Sequence, residues 1–356
     1  MKYLLPLLSV AATAVSSALP APRAIAARAA AAPKPLPTTY SWKSTGPLLA
    51  AEPGSGIAGI KDPSVVLVDG TYHVFASTAR ASGYSLIYTN FTSFENAAKT
   101  PYTYLNRTAI GSGYRAAPEV FYFAPQKLWY LIYQNGNAAY STNPDISNPM
   151  GWTAPKNFYN GTPAIITENI GNGHWVDMWV ICDNVNCHLF SSDDNGHLYR
   201  SQTTRAKFPQ GMSTPVIALE DADRFRLFEA SNVYWVADND AAPEAGGQYL
   251  LLVEAIGAGN ARWFRSWTST TLDGTWTPLA AEPTNPFLRN TNVVFQGAKW
   301  TNSISHGELV RTNVDEKLRV SRCGWQYMYQ GVDPAANQSY NALPWKLALA
   351  TQTSTC

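Results

Sequence analysis

Five times along the chain a polar or acidic residue stands at the head of a short apolar run, and this repeat restricts the fold more than any other feature. The runs read KDPSVVLV at Asp62, APEVFYF at Glu119, WVDMWVIC at Asp177, FEASNVYWV at Glu229 and SHGELVR at His306, spaced by 57, 58, 52 and 77 residues. Three further runs resemble one another: SLIYTN from Ser85, HLYRSQT from His197 and RWFRSWT from Arg262. Two units close alike, with Gly151-Trp152-Thr153 and Gly274-Thr275-Trp276-Thr277. Residues 64–68 and 71–76 flank Asp69-Gly70, a pair favoured in two-residue hairpin turns. No segment longer than two turns has helical periodicity, so the class is all-β. Units of about 50 residues made of short antiparallel strands predict a β-propeller with one blade per unit, here five blades. A β-sandwich also shows many short strands, but the repeated start signature favours the propeller.

Residues 1–18 have a charged Lys2, an apolar stretch and small residues at Ser16 and Ala18, the pattern of a secretory signal peptide that is too short to span a membrane. Residues 19–39 are rich in Ala and Pro and read as a propeptide or linker, with Arg23 and Arg28 as trimming sites; residues 40–356 form the single predicted domain. In an oxidising compartment the four cysteines, Cys182, Cys187, Cys323 and Cys356, imply two disulfides. Three pairings exist; the favoured one closes a short loop with Cys182 and Cys187 and leaves Cys323 for Cys356. Asn90, Asn106, Asn160 and Asn337 lie in N-glycosylation sequons. These features predict a secreted, extracellular glycoprotein, and nothing in the sequence requires more than a monomer.

Only 14% of the residues are charged and the net charge is +1. A nucleic-acid partner requires a basic face, so none is expected, and no membrane partner either. The 12 Trp, 19 Tyr and 13 Phe suit a neutral, amphipathic ligand such as a sugar polymer; they are equally good strand formers.

Residues at one position of successive blades converge on a propeller's axis. Asp62, Glu119, Asp177, Glu229 and His306 are therefore expected in one pocket, the alternative for each being a hydrogen-bonded cap on a neighbouring blade. Lys61 beside Asp62 would keep that carboxylate ionised, as a general base requires. Glu229 lies between apolar neighbours, which would raise its pKa as a general acid requires. Asp177 would add to that rise through like-charge repulsion. A carboxyl pair in acid and base roles is what glycosidic cleavage needs.

The runs IKDPSVV, FYFAPQKLWYLIYQNG, GNGHWVDMWVICD, HLFSSDDNGHLYRSQ, LFEASNVY, QYLLLVEAIG, SISHGELVR and SYNALPWKL resemble glycoside hydrolase family 62, over roughly residues 40–356. The resemblance implies a five-bladed propeller that removes terminal α-L-arabinofuranosyl side chains from arabinoxylan by inversion. By motif it implies Asp62 as general base, Glu229 as general acid and Asp177 as the carboxylate that tunes the acid. Lys61, Tyr340 and Asn341 would contact the sugar. His306 would stand near a structural ion, calcium in propellers of this type; an imidazole is not a preferred hard-cation ligand, so such an ion would be held mostly by water. No cofactor for the chemistry is expected. Tyr327 and Tyr329 are candidates for xylan-cleft aromatics, or core residues. A related propeller glycosidase (an endo-arabinanase or β-xylosidase) and a non-catalytic xylan-binding propeller are the competing readings.

Overall fold

The computed structural model describes Met1, residues 32–243 and residues 246–355. The rest of the signal-peptide segment and residues 19–31, with Arg23 and Arg28, lie outside these residues. The repeat resolves into five blades. Blade one comprises Gly59–Val68, Thr71–Arg80, Gly83–Phe91 and Thr103–Tyr104; blade two comprises Ala116–Phe123, Leu128–Gln134, Ala138–Asn143 and Lys156–Asn157. Blade three runs Val176–Cys182, Asn186–Ser192, His197–Thr204 and Val216–Glu220, and blade four runs Glu229–Ala237, Gly247–Ile256, Arg262–Ser269 and Thr277–Pro278. All these strands pair antiparallel with their neighbours in order. The protein is an all-β, five-bladed propeller. The middle strands, such as LWYLIYQ in blade two, are buried along almost their whole length. Both of their faces are covered by adjacent blades, which is why they read as continuous apolar runs rather than alternating ones.

Blade five joins the two ends of the chain. Ser305–Leu309, Gln326–Gly331 and Lys346–Gln352 are followed by the early strand Trp42–Ser44, antiparallel to Lys346–Gln352. The long fourth interval in the repeat contains Val293–Phe295, which adds a parallel strand outside Trp42–Ser44. Trp42 is fully buried and donates from Nε1 to the Phe287 carbonyl at 2.8 Å.

The folded body begins earlier than the sequence predicts. Leu36 is buried in the main core cluster. The Lys34 amide donates to Asp238 Oδ1 at 2.9 Å, and Gln248 Nε2 donates to the Lys34 carbonyl at 2.6 Å. The last residues of the expected linker are therefore structural: one apolar side chain and the backbone polar groups beside it find partners, which a Pro-rich composition does not reveal.

The repeat aligns differently from its sequence reading. Each inner strand carries an irregularity in pairing near its start. Asp62, Ala117, Asp177 and Ala230 occupy it with φ of 48°, 50°, 58° and 56°, and His306 stands at the matching place in blade five. The amide at this bulge is capped from the preceding blade. Asp62 N donates to Gln330 Oε1 at 2.7 Å, Ala117 N to Ser77 Oγ at 2.8 Å, Asp177 N to Gln134 Oε1 at 2.7 Å, and His306 N to Glu254 Oε2 at 2.6 Å. Blade two thus places alanine where its neighbours place aspartate. Glu119, two residues on, does not reach the pocket: its Oε2 accepts from Val180 N at 2.6 Å and straps blade two to blade three.

Cys182 and Cys187 form a disulfide. Cys323 is also disulfide-bonded, while Cys356 lies outside the described residues. The four sequon asparagines are exposed. Tyr327 and Tyr329 are fully buried, with hydroxyls bonded to Asn232 and Ser44. They fill the blade core and cannot line a cleft.

Replacing Trp42 by Ala removes the largest side chain of the closing strand and its hydrogen bond. We expect a loss of ~3–5 kcal/mol in unfolding free energy, measured by guanidinium denaturation.

Candidate active site

Lys61, Asp62, Asp177, Glu229, His306, Tyr340 and Asn341 all line one cavity of about 580 Å³ at the ends of the inner strands. Its size suits a small ligand enclosed on most sides. Asp62 and Asp177 enter from matching bulges of blades one and three. His306 stands between them, with Nδ1 3.5 Å from Asp62 Oδ1 and 3.5 Å from Asp177 Oδ2. Glu229 enters from blade four one residue before the bulge. Tyr340 and Asn341 are held over the opening by a single turn, Tyr340–Ala342, and Tyr84 donates to Asn341 Oδ1 at 2.7 Å.

Lys61 Nζ lies 3.8 Å from Asp62 Oδ1 and donates to the Tyr340 hydroxyl at 3.2 Å. It also faces the rings of Tyr340, Tyr84 and Trp345 at 4.7, 5.0 and 5.8 Å, an arrangement that stabilises a desolvated ammonium. Burial pushes the Asp62 carboxyl up, but Lys61, then His306, with smaller help from Ser77 and Arg262, hold it below the usual carboxylate range. Asp62 is thus held in its ionised form, as expected from Lys61.

The expectation for Glu229 is overturned. Its sequence neighbour Leu227 turns into the core, while the Glu229 carboxylate accepts from Arg262 Nη1 at 2.5 Å. Burial pushes Glu229 up, but Arg262, then Lys61 and His306, keep it below its ordinary value. Protonation falls elsewhere. Burial, then Glu229 and Asp62, raise the Asp177 carboxyl well above its usual range. Asp194, also on the cavity wall, is pushed up to about 9 by burial, then by Glu229 and Asp177. Asp177 also holds the backbone of the next blade, because its Oδ2 accepts from Ala230 N at 2.7 Å. At the other four seams a second-strand side chain caps that amide. Here the equivalent residue, Ser192, has a buried hydroxyl without a partner.

The site does not fit a directly ligated calcium ion. Among the described residues no three His, Cys, Asp or Glu side chains are grouped to hold a metal, and the Gln134 and Gln330 amide oxygens are committed to backbone N–H groups.

The profile of glycosyl hydrolase family 62 matches residues 41–351. The chain belongs to glycosyl hydrolase family 62. It is 59% identical to the catalytic domain of a family 62 α-L-arabinofuranosidase from Coprinopsis cinerea, over 89% of this chain and 98% of that one, with a TM-score of 0.86. A family 62 hydrolase solved in complex with xylotriose is 57% identical over 88% of this chain and 98% of that one, with a TM-score of 0.85. Among curated proteins, α-L-arabinofuranosidase C of Cellvibrio japonicus is 43% identical over 311 residues, 86% of this chain and 46% of that protein. The chain thus spans less than half the length of this curated relative.

In this family 62 hydrolase, sequence reasoning missed Arg262, Glu254, Asp194, Tyr84, Gln134 and His174. Arg262 was visible at the head of the run RWFRSWT, but the aligned runs begin with Ser85 and His197, so no shared charge marked it. Asp194 was hidden in a segment that reads as an ordinary turn, residues 193–196.

Arg262 also ion-pairs with Glu254, which is fully buried and which accepts from Ser305 Oγ at 2.8 Å. Replacing Arg262 by Met leaves two buried carboxylates without their cation, at an expected cost of ~3–5 kcal/mol near neutral pH. Burial already holds Glu254 above its ordinary value; without Arg262 it rises further and Glu229 rises above its unfolded value too. Stability is retained below the unfolded carboxyl pKa and lost as pH rises through the raised one. Denaturation at acid and neutral pH should show the variant's deficit shrinking on acidification.

Proposed function

We propose that this family 62 hydrolase is an α-L-arabinofuranosidase that removes terminal arabinofuranosyl side chains from arabinoxylan by a single inverting displacement. One observation carries the reading: Asp62, paired with Lys61 at 3.8 Å, lines a single cavity together with Asp177, Asp194 and Glu229. The relatives' names supply the sugar. Xylotriose bound to a related enzyme, a fragment of the xylan backbone, supports the polymer.

In the proposed step Glu229 gives a proton to the oxygen that stays on xylan, and the anomeric C–O bond breaks. Asp62 takes a proton from the water attacking the opposite face. Asp177 fixes the blade-four bulge that aims Glu229, and its own proton limits repulsion between the carboxyls. Lys61, Tyr340 and Asn341 hold the sugar and exclude water. An ion near His306 would be held by water, and no step needs one. Export with removal of residues 1–18, glycans on the four exposed sequon asparagines and a Cys323–Cys356 bond complete the proposal; the intact mass before and after endoglycosidase and reduction checks them.

Incubation with wheat-type arabinoxylan should release arabinose, and linear arabinan should yield no oligosaccharides. Proton NMR at early times should show the β-anomer first; the α-anomer first would mean retention. Glu229→Gln should lower arabinose release by about 10²–10⁴-fold. Retained xylan binding with no release by the wild type would make the protein a binding module.

Lys61→Met removes the main charge that keeps Asp62 ionised. The acid limb of kcat/KM should move to higher pH by about one unit or more; an unmoved limb would contradict Asp62 as the base.

A further inference from the structure

A role for Asp194 follows from its setting and rests on the reading of Glu229 as the acid. Blade three turns between its second and third strands through Asp193 and Asp194, and the two carboxyls are treated differently. Asp193 is saturated: it accepts from the amides of Asn195 and His197 at 2.8 and 3.2 Å, and from the Tyr199 hydroxyl at 2.8 Å, with His197 Nδ1 also 2.8 Å away. It builds the turn. Asp194, at a φ of 56°, turns its carboxyl into the catalytic cavity. The residue is only 9% exposed; its Oδ1 has no donor group as a partner, and its carboxyl stands within hydrogen-bonding reach of the Glu229 carboxyl. A buried carboxyl oxygen left open is costly, and its persistence calls for a functional reason. Its Oδ2 lies 3.2 Å from Nδ1 of His174, whose ring is 80% exposed. The approach of the His174 segment depends on Gly173, where a Cβ would fall 1.9 Å from the Asp193 carbonyl.

We propose that Asp194 is the proton store of this site, passing its proton to Glu229 so that Glu229 can deliver one to the departing xylan oxygen. The groups facing Asp194 are His174, Asp177, Glu229 and Arg262. In the free enzyme Arg262 keeps Glu229 ionised, and the proton required by the acid resides on its neighbour. As the sugar enters, the proton leaves Asp194 for Glu229, and Asp194 becomes the carboxylate. Glu229 then protonates the glycosidic oxygen while Asp62 takes the proton of the attacking water. Asp62 then releases the water's proton to solvent, and Asp194 regains one from solvent along His174. One water is consumed and no other reactant is needed. Asp194 is in this sense a positioning residue for a proton: it acts through Glu229.

The test is Asp194→Asn, which retains the shape of the side chain and tolerates positive φ but cannot pass a proton. Two substrates are compared across pH: arabinoxylan, whose leaving oxygen needs protonation, and 4-nitrophenyl α-L-arabinofuranoside, whose leaving group does not. On arabinoxylan we expect kcat/KM to fall about tenfold or more at neutral pH, with the basic limb moving acidward by about one unit or more. The nitrophenyl substrate should stay within about threefold of wild type. Independently of turnover, infrared difference spectra of the wild type at neutral pH should contain a protonated-carboxyl band that the variant lacks. Equal losses on both substrates with the limbs in place, or an unchanged infrared band, would overturn the relay in favour of a structural role. If the wild type releases no arabinose, the functional reading fails, and the relay fails with it.

Discussion

Two buried cations serve five buried carboxyl groups at the mouth of this propeller, and the chemistry of the site follows from that inequality. Lys61 and Arg262 are each committed, to Asp62 and to the Glu229–Glu254 pair. Burying a further carboxylate without a cation is costly, so the remaining carboxyls are pushed toward their neutral forms. Asp62 and Glu229 are held ionised while Asp177 and Asp194 are pushed up. A carboxylate held ionised and carboxyls pushed toward neutrality thus coexist within one cavity.

The scaffold can impose that distribution because each inner strand breaks its register at the same point. Left-handed backbone at a non-glycine residue is uncommon and must be held by its surroundings. Here four residues share it, and each bulge amide is bonded across a seam. The bond from Ala230 N differs from the rest because Asp177 itself makes it. The Asp177 carboxyl therefore also fixes the strand on which Glu229 is mounted. Shifting Asp177 would disturb electrostatics and aim together, so a substitution there measures both at once.

The repeat was legible because propeller geometry writes itself as a period, and the closing of the two chain ends follows from that fold. Asp62 was legible in ionisation as well as place, since its partner is the adjacent residue in sequence. Glu229 was legible in place only. Its environment is set by Arg262, 33 residues later and two strands away, and a strand side chain need not share the surroundings of its flanking residues, which point to the opposite face. Glu119 failed for a related reason. A shift of two residues relative to the bulge moves an acidic side chain from the pocket to a seam, and the apolar run that follows looks the same in either register. Leu36 and Lys34 show the complementary limit: composition reads the segment as linker, while a few specific contacts draw its end into the core.

In the free site Asp194 is pushed toward its neutral form while Glu229 is held ionised. That separation has a physical benefit. A carboxylic acid already resting on Glu229 would lose its attraction to Arg262, and the guanidinium would then be shared only with Glu254. With Glu229 ionised, the pair remains intact and Arg262 stays fixed, stacked toward Phe228 and Tyr340 at 5.0 and 6.0 Å. Entry of a neutral sugar displaces water from the cavity and strengthens every charge interaction inside it. Those interactions favour the resting distribution, so the proton passed to Glu229 in the proposed relay is held there only briefly before it is given up.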